Sequence, residues 1–468
     1  MSAQQRRGPS RPQHTAVQPA RRVALDVLTA VRESDAYANL LLPTRIARAA
    51  LSTADAALAT ELTYGTLRMQ GYYDRVIAIA AGRPVDRIDP PLLDVLRLGA
   101  HQLLSTRVAA HAAVNESVGL AREVGSRSGT GFVNGVLREI GRHTPEEWRD
   151  QVASRAKNED DRIAALASHP VWVVRALRRS LEAEGRVEEL EELLKADNTA
   201  PRVNLIALPG LASEPDDARP DRFSPPGFTV GGGDPQGLVE ESGGRIRVQD
   251  EGSQLAALAL TRAQPVLEGE RWLDLCAGPG GKAALLAAEA LAGGATLVAN
   301  ELVPARAELV RRALAPVPLD VPVWELDGVV VGTEHPEAFD RILLDAPCTG
   351  LGALRRRPEA RWRKTPRDVA ELTTLQTALL DSAIAALKPG GLLAYVTCSP
   401  HLGETRGIVA SALERHGDVL EQEATAETVQ ALANERLDLA GDPATVQLWP
   451  HRHTTDAMFI ALLRKRAA

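Results

Sequence analysis

The chain has 468 residues, enough for two to four domains that each bury a core of their own. Its formal net charge of −7 does not indicate a nucleic-acid-binding protein as a whole, although phosphate contacts need only a local basic surface. Since no uninterrupted run of 18 apolar residues occurs, and the N-terminus has no apolar signal segment, we expect a cytoplasmic protein that does not enter a membrane.

The first 20 residues are predicted to form a disordered basic tail. Residues 1–22 contain arginines and no acidic residue, with Gly, Pro, Gln and Ser between them: Arg6, Arg7, Arg11, Arg21 and Arg22. A segment of this composition cannot bury enough apolar surface to fold alone. Its role stays open here, because it could contact RNA or simply keep the chain in solution.

Residues 21–145 are predicted to form an all-α bundle. Apolar residues recur there at helical spacing, and Gly and Pro separate the periodic stretches. The predicted helices contain residues 23–31, 57–67, 73–80, 92–103, 109–124 and 131–140. Composition alone assigns no function to this bundle.

Residues 146–248 are predicted to hold a helical linker and then a small α/β subdomain. Charged amphipathic helices fit residues 146–200, and residues 203–208 fit a strand. The stretch 209–244 is dense in Pro, Gly and Asp, which is typical of long loops.

From residue 249 to residue 468, candidate strands and helices alternate. This alternation predicts a doubly wound α/β sheet of Rossmann type. Candidate strands are residues 272–276, 296–301, 322–326, 341–345, 392–397 and 457–463, and candidate helices are residues 282–292, 304–315 and 369–387. Such sheets bind ligands at the carboxyl ends of their strands.

The first of these strands ends in a glycine-rich turn that reads Cys276-Ala277-Gly278-Pro279-Gly280-Gly281-Lys282. Small residues at a helix N-terminus let a ligand approach the backbone. The turn is neither a P-loop nor the dinucleotide fingerprint. Later strands end in the acidic residues Glu301, Asp327 and Asp345, and a carboxylate there can accept hydrogen bonds from ribose hydroxyls. S-adenosyl-L-methionine, a nucleoside cofactor without a pyrophosphate, fits this pattern best.

The chain has three cysteines, Cys276, Cys348 and Cys398. So few cysteines form no disulfide framework, and their spacing does not suit a zinc site, so we expect no metal. Nucleophile chemistry or core packing remains, and a free cysteine taken alone is more often a small buried apolar residue.

The motifs around the cysteines resemble those of the RNA cytosine-C5 methyltransferases, the Nol1/Nop2/Sun family. The resemblance rests on residues 274–282, on Asp-Ala-Pro-Cys-Thr-Gly-Leu-Gly at 345–352 and on Thr-Cys-Ser-Pro at 397–400. Residues 61–68, 98–104, 110–116 and 131–138 are similar to the NusB-type RNA-binding domain. A NusB-like domain ahead of this catalytic domain is the arrangement of the RsmB/Sun type of 16S rRNA methyltransferase.

The resemblance implies that Cys398 is the nucleophile and that Cys348 assists release of the covalent adduct. Cytosine C5 is too electron-poor to take a methyl group unaided, whereas a thiolate that adds to C6 makes C5 nucleophilic. DNA cytosine methyltransferases instead use the cysteine of a Pro-Cys pair, which here is Cys348, but the Thr-Cys-Ser-Pro context favours Cys398. The resemblance further implies that residues 276–282, Glu301, Asp327 and Asp345 contact the cofactor.

A basic run that begins shortly after Cys348 is predicted to form a surface for substrate RNA. Its members are Arg355, Arg356, Arg357, Arg361, Arg363 and Lys364. The expected partner is small-subunit rRNA, and the expected state is a monomer. Two alternatives stay open: a tRNA cytosine methyltransferase, and a non-catalytic RNA-binding factor in ribosome assembly.

Three positions depart from the pattern usual in the family. Glu404-Thr405 stands where Glu-Asn is common, Asp456-Ala-Met-Phe459 where Asp-Gly-Phe-Phe is common, and Thr349 where Ser is more usual. None removes a predicted catalytic group, but we expect the first two to change the shape of the pocket.

Overall fold

A computed structural model describes residues 17–34, 36–125, 127–231 and 235–467. The chain divides into two compact units, Met1–Ser168 and His169–Ala468. Most of the predicted basic tail, with Arg6, Arg7 and Arg11, lies outside the described residues. No helix in the described part is long and apolar enough to cross a membrane.

The described part of the first unit is helical, as the apolar periodicity predicts. Its α-helices are α1 (Pro19–Glu33), α2 (Ala38–Arg48), α3 (Thr53–Arg68), α4 (Gln70–Ala81), α5 (Pro90–Ser105), α6 (Ala110–Val124), α7 (Arg127–Ile140), α8 (Pro145–Ala153) and α9 (Glu159–Ala167). Proline at the first turn and side-chain caps set several of these starts, for example the capping box of Thr144 and Glu147 at α8.

Helices α8 and α9 pack with the first unit, so its boundary lies beyond the predicted residue 145. The indole of Trp148 is 1% exposed and donates its Nε1–H to the carbonyl of Ile140 at 2.9 Å. Val152 and Ala165 join the same apolar cluster. Because the segment is highly charged, its sequence gives only a weak signal that these few side chains are buried.

The second unit begins with two helices and a small sheet. Its first elements are α10 (Val171–Glu182), α11 (Leu190–Asp197), β1 (Leu205–Ala207), β2 (Arg219–Pro220), β3 (Gly227–Thr229), α12 (Pro235–Glu241), β4 (Ile246–Val248) and α13 (Glu251–Thr261). Among the described residues, the strands form an antiparallel sheet in the order β2-β3-β1-β4. The strand predicted at residues 203–208 is therefore present as β1.

The rest of the second unit alternates strands and helices. Its elements are β5 (Arg271–Asp274), α14 (Gly281–Gly293), β6 (Thr296–Asn300), α15 (Pro304–Leu314), β7 (Val323–Trp324), α16 (Val331–Glu334), β8 (Phe339–Asp345), α17 (Ala360–Arg363), α18 (Pro366–Ala386), β9 (Leu387–Thr397), α19 (Arg406–His416), β10 (Leu420–Gln422), α20 (Thr425–Leu432), β11 (Thr445–Gln447), α21 (Pro450–His453) and β12 (Phe459–Lys465). The six predicted strands correspond to β5, β6, β7, β8, β9 and β12.

These strands form one sheet in the order β10-β12-β9-β8-β5-β6-β7, with β11 added beside β12. The strands from β9 to β7 run parallel, whereas β12 is antiparallel to its neighbours. Successive residues of β8 alternate between the two faces: Leu343 joins one apolar cluster with α13 and α14, and Ile342 and Leu344 join another with α18. Helices thus cover both faces, as expected of a doubly wound Rossmann-type sheet.

Two buried charged residues tie distant segments to this sheet. Arg341, at 0% exposure, pairs with Glu270 at 2.7 Å and donates to carbonyls between residues 260 and 265. Glu184, just after α10, accepts from the indole of Trp449 and the guanidinium of Arg452, both at 2.9 Å, and from Arg406 at 3.1 Å. The segment before the sheet is therefore fastened to its C-terminal part.

Candidate active site

The glycine-rich turn links β5 to α14 and leaves little room for side chains. Gly280 has φ +107°, and a Cβ there would lie 2.4 Å from the Cβ of Ala313. A Cβ on Gly278 would lie 2.1 Å from Oε2 of Glu301. Gly280 therefore requires glycine, whereas a Cβ at position 278 would displace the Glu301 carboxylate, and the turn keeps bare backbone at the carboxyl end of β5.

The acidic residues predicted at strand ends lie along the same edge of the sheet. Glu301 follows β6, is 5% exposed, and pairs with Arg306 at 3.2 Å. Arg306 also donates to the carbonyl of Gly278 at 2.9 Å, so it links the turn to Glu301. Asp327 lies exposed after β7, where its carboxylate accepts the Val329 N–H at 3.1 Å.

Asp274, at the end of β5, is a buried acid beneath the turn. It is 1% exposed, and neither carboxylate oxygen accepts a hydrogen bond of normal geometry from the described residues. Burial, helped by the negative charge of Asp345, raises the pKa of Asp274 to about 8. Burial likewise raises the pKa of the Cys276 thiol, which packs against the apolar core beside the sheet. Cys276 is therefore a packing group with its backbone in the turn.

Lys282 and Asp345 form an ion pair across the carboxyl edge of the sheet. Nζ of Lys282 lies 2.8 Å from Oδ2 of Asp345, and the two side chains are 13% and 26% exposed. Burial opposes the charged form of Lys282, but the facing Asp345 outweighs it, so the pKa of Lys282 is raised. This ion pair therefore places a positive and a negative charge beside the thiols of Cys348 and Cys398.

The thiols of Cys348 and Cys398 lie 3.4 Å apart. They meet because β8 and β9 are adjacent and parallel, with Asp345 opposite Val396. The contact between the thiols lowers the pKa of Cys398 against the effect of burial, and Lys282 and Arg357 act in the same direction. The same contact, together with burial, raises the pKa of Cys348 well above its usual range. Loss of a proton from this pair is therefore favoured at Cys398 over Cys348.

Glu404, noted in the sequence only as part of a departure from the family pattern, lies directly behind the thiols. It is fully buried, and its carboxylate accepts hydrogen bonds from Thr349 and Ser399, the residues that follow the two cysteines. Its spacing from the Thr-Cys-Ser-Pro motif is the only signal that could have found it.

Gly352 links the backbone of Cys398 to that of Ala457. The N–H of Gly352 donates to the carbonyl of Cys398 at 2.9 Å, and its own carbonyl accepts the N–H of Ala457 at 2.8 Å. A Cβ on Gly352 would lie 2.2 Å from the carbonyl oxygen of Ala457. The second departure, at residues 456–459, thus lies in the wall of the pocket.

The basic run after Cys348 is only partly a surface. Arg361 is fully buried and donates to Oδ1 of Asn198 at 2.7 Å, and Arg355 is 5% exposed and donates to the carbonyl of Thr454 at 3.0 Å. Arg356 pairs with Asp250 at 2.7 Å and with Asp456 at 3.1 Å. These three arginines are held by the fold, which corrects the expectation that the whole run faces RNA.

The remaining members of the run are accessible to different degrees. Arg357 is exposed, whereas Arg363 and Lys364 are partly exposed. Trp362 precedes Arg363 in the sequence, and its side chain is 37% exposed.

The edge of the sheet fits S-adenosylmethionine. The turn presents backbone in place of side chains at the carboxyl end of β5, and the buried Asp274 carboxylate has no hydrogen-bond donor of normal geometry from the described chain. The carboxylates of Glu301, Asp327 and Asp345 suit ribose hydroxyls and the positive charges of the cofactor.

Comparisons with known proteins identify relatives of both parts of the chain. The family model "16S rRNA methyltransferase RsmB/F" matches residues 263–464, and the NusB family model matches residues 18–142. The Mycobacterium tuberculosis protein Rv1407, which is named as a methyltransferase, is 48% identical over 97% of this chain and 98% of its own.

A Bacillus subtilis relative, named "Probable ribosomal RNA small subunit methyltransferase B", is 31% identical over 95% of this chain and 98% of its own length. The crystal structure of PH0851 shares the fold, with a TM-score of 0.78 at 21% identity over 97% of this chain and all of the other. The chain therefore belongs to the RsmB family of 16S rRNA methyltransferases, with a NusB-type helical domain ahead of the catalytic domain and S-adenosylmethionine as the cofactor.

Proposed function

We propose that this protein methylates C5 of a specific cytosine in 16S rRNA through a covalent bond between Cys398 and C6 of the base. Cys348 assists release of the adduct. The observation that carries the proposal is the pair of thiols at 3.4 Å, in which the pKa of Cys398 is lowered and that of Cys348 is raised.

The chemistry needs a nucleophile that is ionised near neutral pH. The Cys398 thiolate adds to C6, the electrons of the C5–C6 double bond move to C5, and C5 becomes nucleophilic. When bound, S-adenosylmethionine supplies an electrophilic methyl group. The C5 proton then passes to water, its electron pair re-forms the C5–C6 double bond, and the Cys398 thiolate leaves, which restores the aromatic base. A protonated Cys348 beside the departing sulfur suits a role in this release.

The charge distribution supports Cys398 rather than Cys348 as the nucleophile. Lys282 and Arg357 both favour the thiolate of Cys398. Glu404 instead disfavours a thiolate at Cys348. The alternative in which the Pro-Cys cysteine, Cys348, attacks the base would require ionisation of the thiol whose pKa is raised.

Residues of the glycine-rich turn would hold the cofactor, with Glu301 and Asp327 toward its ribose and Asp345 toward the base. Within the turn these are Cys276, Ala277, Gly278, Pro279, Gly280, Gly281 and Lys282. The role of Asp345 follows from its place between the turn and the thiols, where it pairs with Lys282.

RNA is the substrate that the charged surface near the thiols supports. Arg357, Arg363 and Lys364 can contact phosphates, and the exposed ring of Trp362 offers a face on which an unpaired base can stack. The target cytosine must be unpaired or flipped out to reach the thiols. We further propose that the NusB-type unit binds RNA and that the protein acts as a monomer in the cytoplasm.

Methyl transfer to unmodified small-subunit rRNA tests the proposal. The parent protein, labelled S-adenosylmethionine and the rRNA are combined, and new methylcytosine is mapped by bisulfite sequencing. We expect one new mark, and we expect Cys398→Ser to abolish it while S-adenosylhomocysteine still binds to the variant.

Three other results of the methyl-transfer experiment would each contradict a different part of the proposal. Methylation of tRNA without any mark on rRNA would keep the chemistry and change the substrate. Bound cofactor without transfer to either RNA would favour a non-catalytic RNA-binding factor. Normal transfer by Cys398→Ser would exclude the proposed nucleophile.

A further inference from the structure

We propose that Glu404 is the positioning residue of the two-thiol site. Its carboxylate joins the loop that carries Cys348 to the loop that carries Cys398, and it places a negative charge on the Cys348 side. This inference rests on the proposed function, because it requires that the two thiols carry out the chemistry.

The carboxylate of Glu404 accepts hydrogen bonds from both thiol-bearing loops. Thr349, next to Cys348, donates its N–H to Oε1 at 2.7 Å and its hydroxyl to Oε2 at 2.5 Å. Ser399, next to Cys398, donates its hydroxyl to the same Oε2 at 2.6 Å. Because each donor is the immediate neighbour of a cysteine, the carboxylate sets the spacing between the two loops.

Two further residues prevent Glu404 from moving. Gln376 of α18 donates to Oε1 at 3.3 Å and to the carbonyl of Pro347 at 2.8 Å. The hydroxyl of Tyr395 donates to the backbone carbonyl of Glu404 at 2.8 Å. Since Glu404 is 0% exposed, water does not compete for these contacts. Glu404 is thus held both at its carboxylate and at its backbone carbonyl, as a positioning residue needs to be.

The charges around the thiol pair are unequal. Glu404 faces Cys348, whereas Lys282 and Arg357 face Cys398. Asp345 also faces Cys398, but it is paired with Lys282 at 2.8 Å. A fixed negative charge beside Cys348 disfavours a thiolate there, so ionisation of the pair is favoured at Cys398.

Glu404→Gln tests this role, since the amide keeps the size of the side chain and one acceptor oxygen but removes the charge. We expect kcat to fall at least tenfold while the affinity for S-adenosylhomocysteine is unchanged. In a Cys398→Ser background, we expect Glu404→Gln to raise the rate of Cys348 alkylation by iodoacetamide at pH 8 about tenfold, the change in thiolate fraction for one pKa unit. A structural defect that exposes the interior would raise the alkylation of Cys276 together with that of Cys348, whereas loss of the Glu404 charge should raise that of Cys348 alone.

Glu251→Gln is the matched control for the alkylation experiment. Glu251 is also buried and accepts hydrogen bonds from backbone N–H groups, those of Phe223 and Ser224, but it does not contact the thiol loops. We expect it to leave Cys348 alkylation unchanged. An equal increase in both variants would overturn the assignment to Glu404.

If Glu404→Gln does not fold, Thr349→Val and Ser399→Ala carry the test. Each removes one hydroxyl that donates to the carboxylate, and we expect each to lower kcat at least threefold with normal S-adenosylhomocysteine binding. Parental turnover in both would overturn the inference. So would parental turnover and alkylation in a folded Glu404→Gln protein.

Failure of this inference is distinguishable from failure of the proposed function. If Cys398→Ser abolishes methyl transfer but Glu404→Gln behaves as the parent, only the role of Glu404 is wrong. If Cys398→Ser transfers methyl groups normally, the two-thiol chemistry itself is wrong, and the role of Glu404 falls with it.

Discussion

Cys348 and Cys398 are 50 residues apart in the chain, and two adjacent parallel strands bring their sulfur atoms into contact. The motifs around them predict that both belong to one site. The resemblance predicts that Cys398 attacks, but the sequence does not give the electrostatic reason, which depends on the approach of Lys282, Arg357 and Glu404 in the folded chain. The sequence thus predicts which thiols react, and the folded structure determines how the pKa of each thiol is shifted.

Replacement of Cys348 tests the division of labour between the two thiols. Cys348→Ala leaves Cys398 free to attack C6 but removes the group that assists release. We expect a covalent protein–RNA adduct to accumulate, visible as a slow band on a denaturing gel. Cys348→Ala/Cys398→Ser is the control and should give no band. Absence of the band from Cys348→Ala with turnover intact would contradict the two-cysteine mechanism.

Gly280 provides a second prediction at this scale. Gly280→Ala combines a strained φ of +107° with a Cβ 2.4 Å from that of Ala313. We expect a loss of about 2–4 kcal/mol of unfolding free energy and much weaker S-adenosylhomocysteine binding. Urea unfolding and calorimetric titration measure the two effects. At the neighbouring Gly281 a Cβ would lie 4.0 Å from the nearest atom, so Gly281→Ala should leave stability unchanged or increase it.

Among the elements, strand β8 is anchored at its start by one buried guanidinium. Arg341→Met would leave Glu270 without its cationic partner and several interior carbonyls without the guanidinium donor, and we expect a loss of about 3–5 kcal/mol in unfolding free energy. The adjacent pair between Lys388 and Asp340 is 39% and 28% exposed. Lys388→Met should therefore cost at most about 1 kcal/mol, and equal losses in the two variants would contradict this account.

The small antiparallel sheet is expected to lose stability as pH rises. Burial, together with the nearby charge of Glu251, raises the pKa of Asp221 to about 7, although Asn204 donates to it. The folded state therefore binds more protons than the unfolded chain between about pH 4 and 7, and this group makes stability fall across that range.

Asp221→Asn should remove that pH dependence. Relative to the parent, the variant should gain on the order of 1–3 kcal/mol between pH 5 and pH 8. Urea unfolding at both pH values measures the difference. A constant difference between variant and parent would show that Asp221 does not titrate in this range.

The basic run shows what local sequence cannot report about an element. Consecutive charges predict a solvated face, yet Arg356 pairs with Asp250 and Asp456, which are 106 and 100 residues away in the chain. Arg361 meets Asn198 at a separation of 163 residues. Partners so remote leave no periodic signal beside the arginines. The long strands and helices, by contrast, have local signals and were predicted correctly.

For the whole molecule, the order of domains could be predicted, whereas their boundaries could not. Alternating strands and helices predicted the parallel part of the main sheet, and periodicity predicted the helical bundle. Strands β2, β3, β10 and β11 span two or three residues each and are too short for an alternating pattern. The boundary near residue 168 depends on which core receives Trp148, and that is a property of the folded chain.

The two compact units predict how the chain can be divided. A fragment of residues 169–468 should unfold cooperatively in urea and bind S-adenosylhomocysteine like the full chain. A fragment that starts at residue 263 should fail to do either. It would lack Ile206, Leu208, Phe223 and the whole of α13, whose residues 255–260 lie with these three in the core of the main sheet. Cooperative folding of the shorter fragment would contradict this expectation.

The contacts of Glu184 bear on where recombination can divide this chain during evolution. Arg406, Trp449 and Arg452, near the end of the chain, all meet on a carboxylate that lies well before the region matched by the methyltransferase family model. A gene rearrangement that carried only the recognisable region into another protein would leave these three side chains without their shared acceptor. The segment that must be inherited together is therefore longer than residues 263–464, which the methyltransferase family model matches. Recombination should tolerate junctions near residue 168 far better than junctions near residue 263.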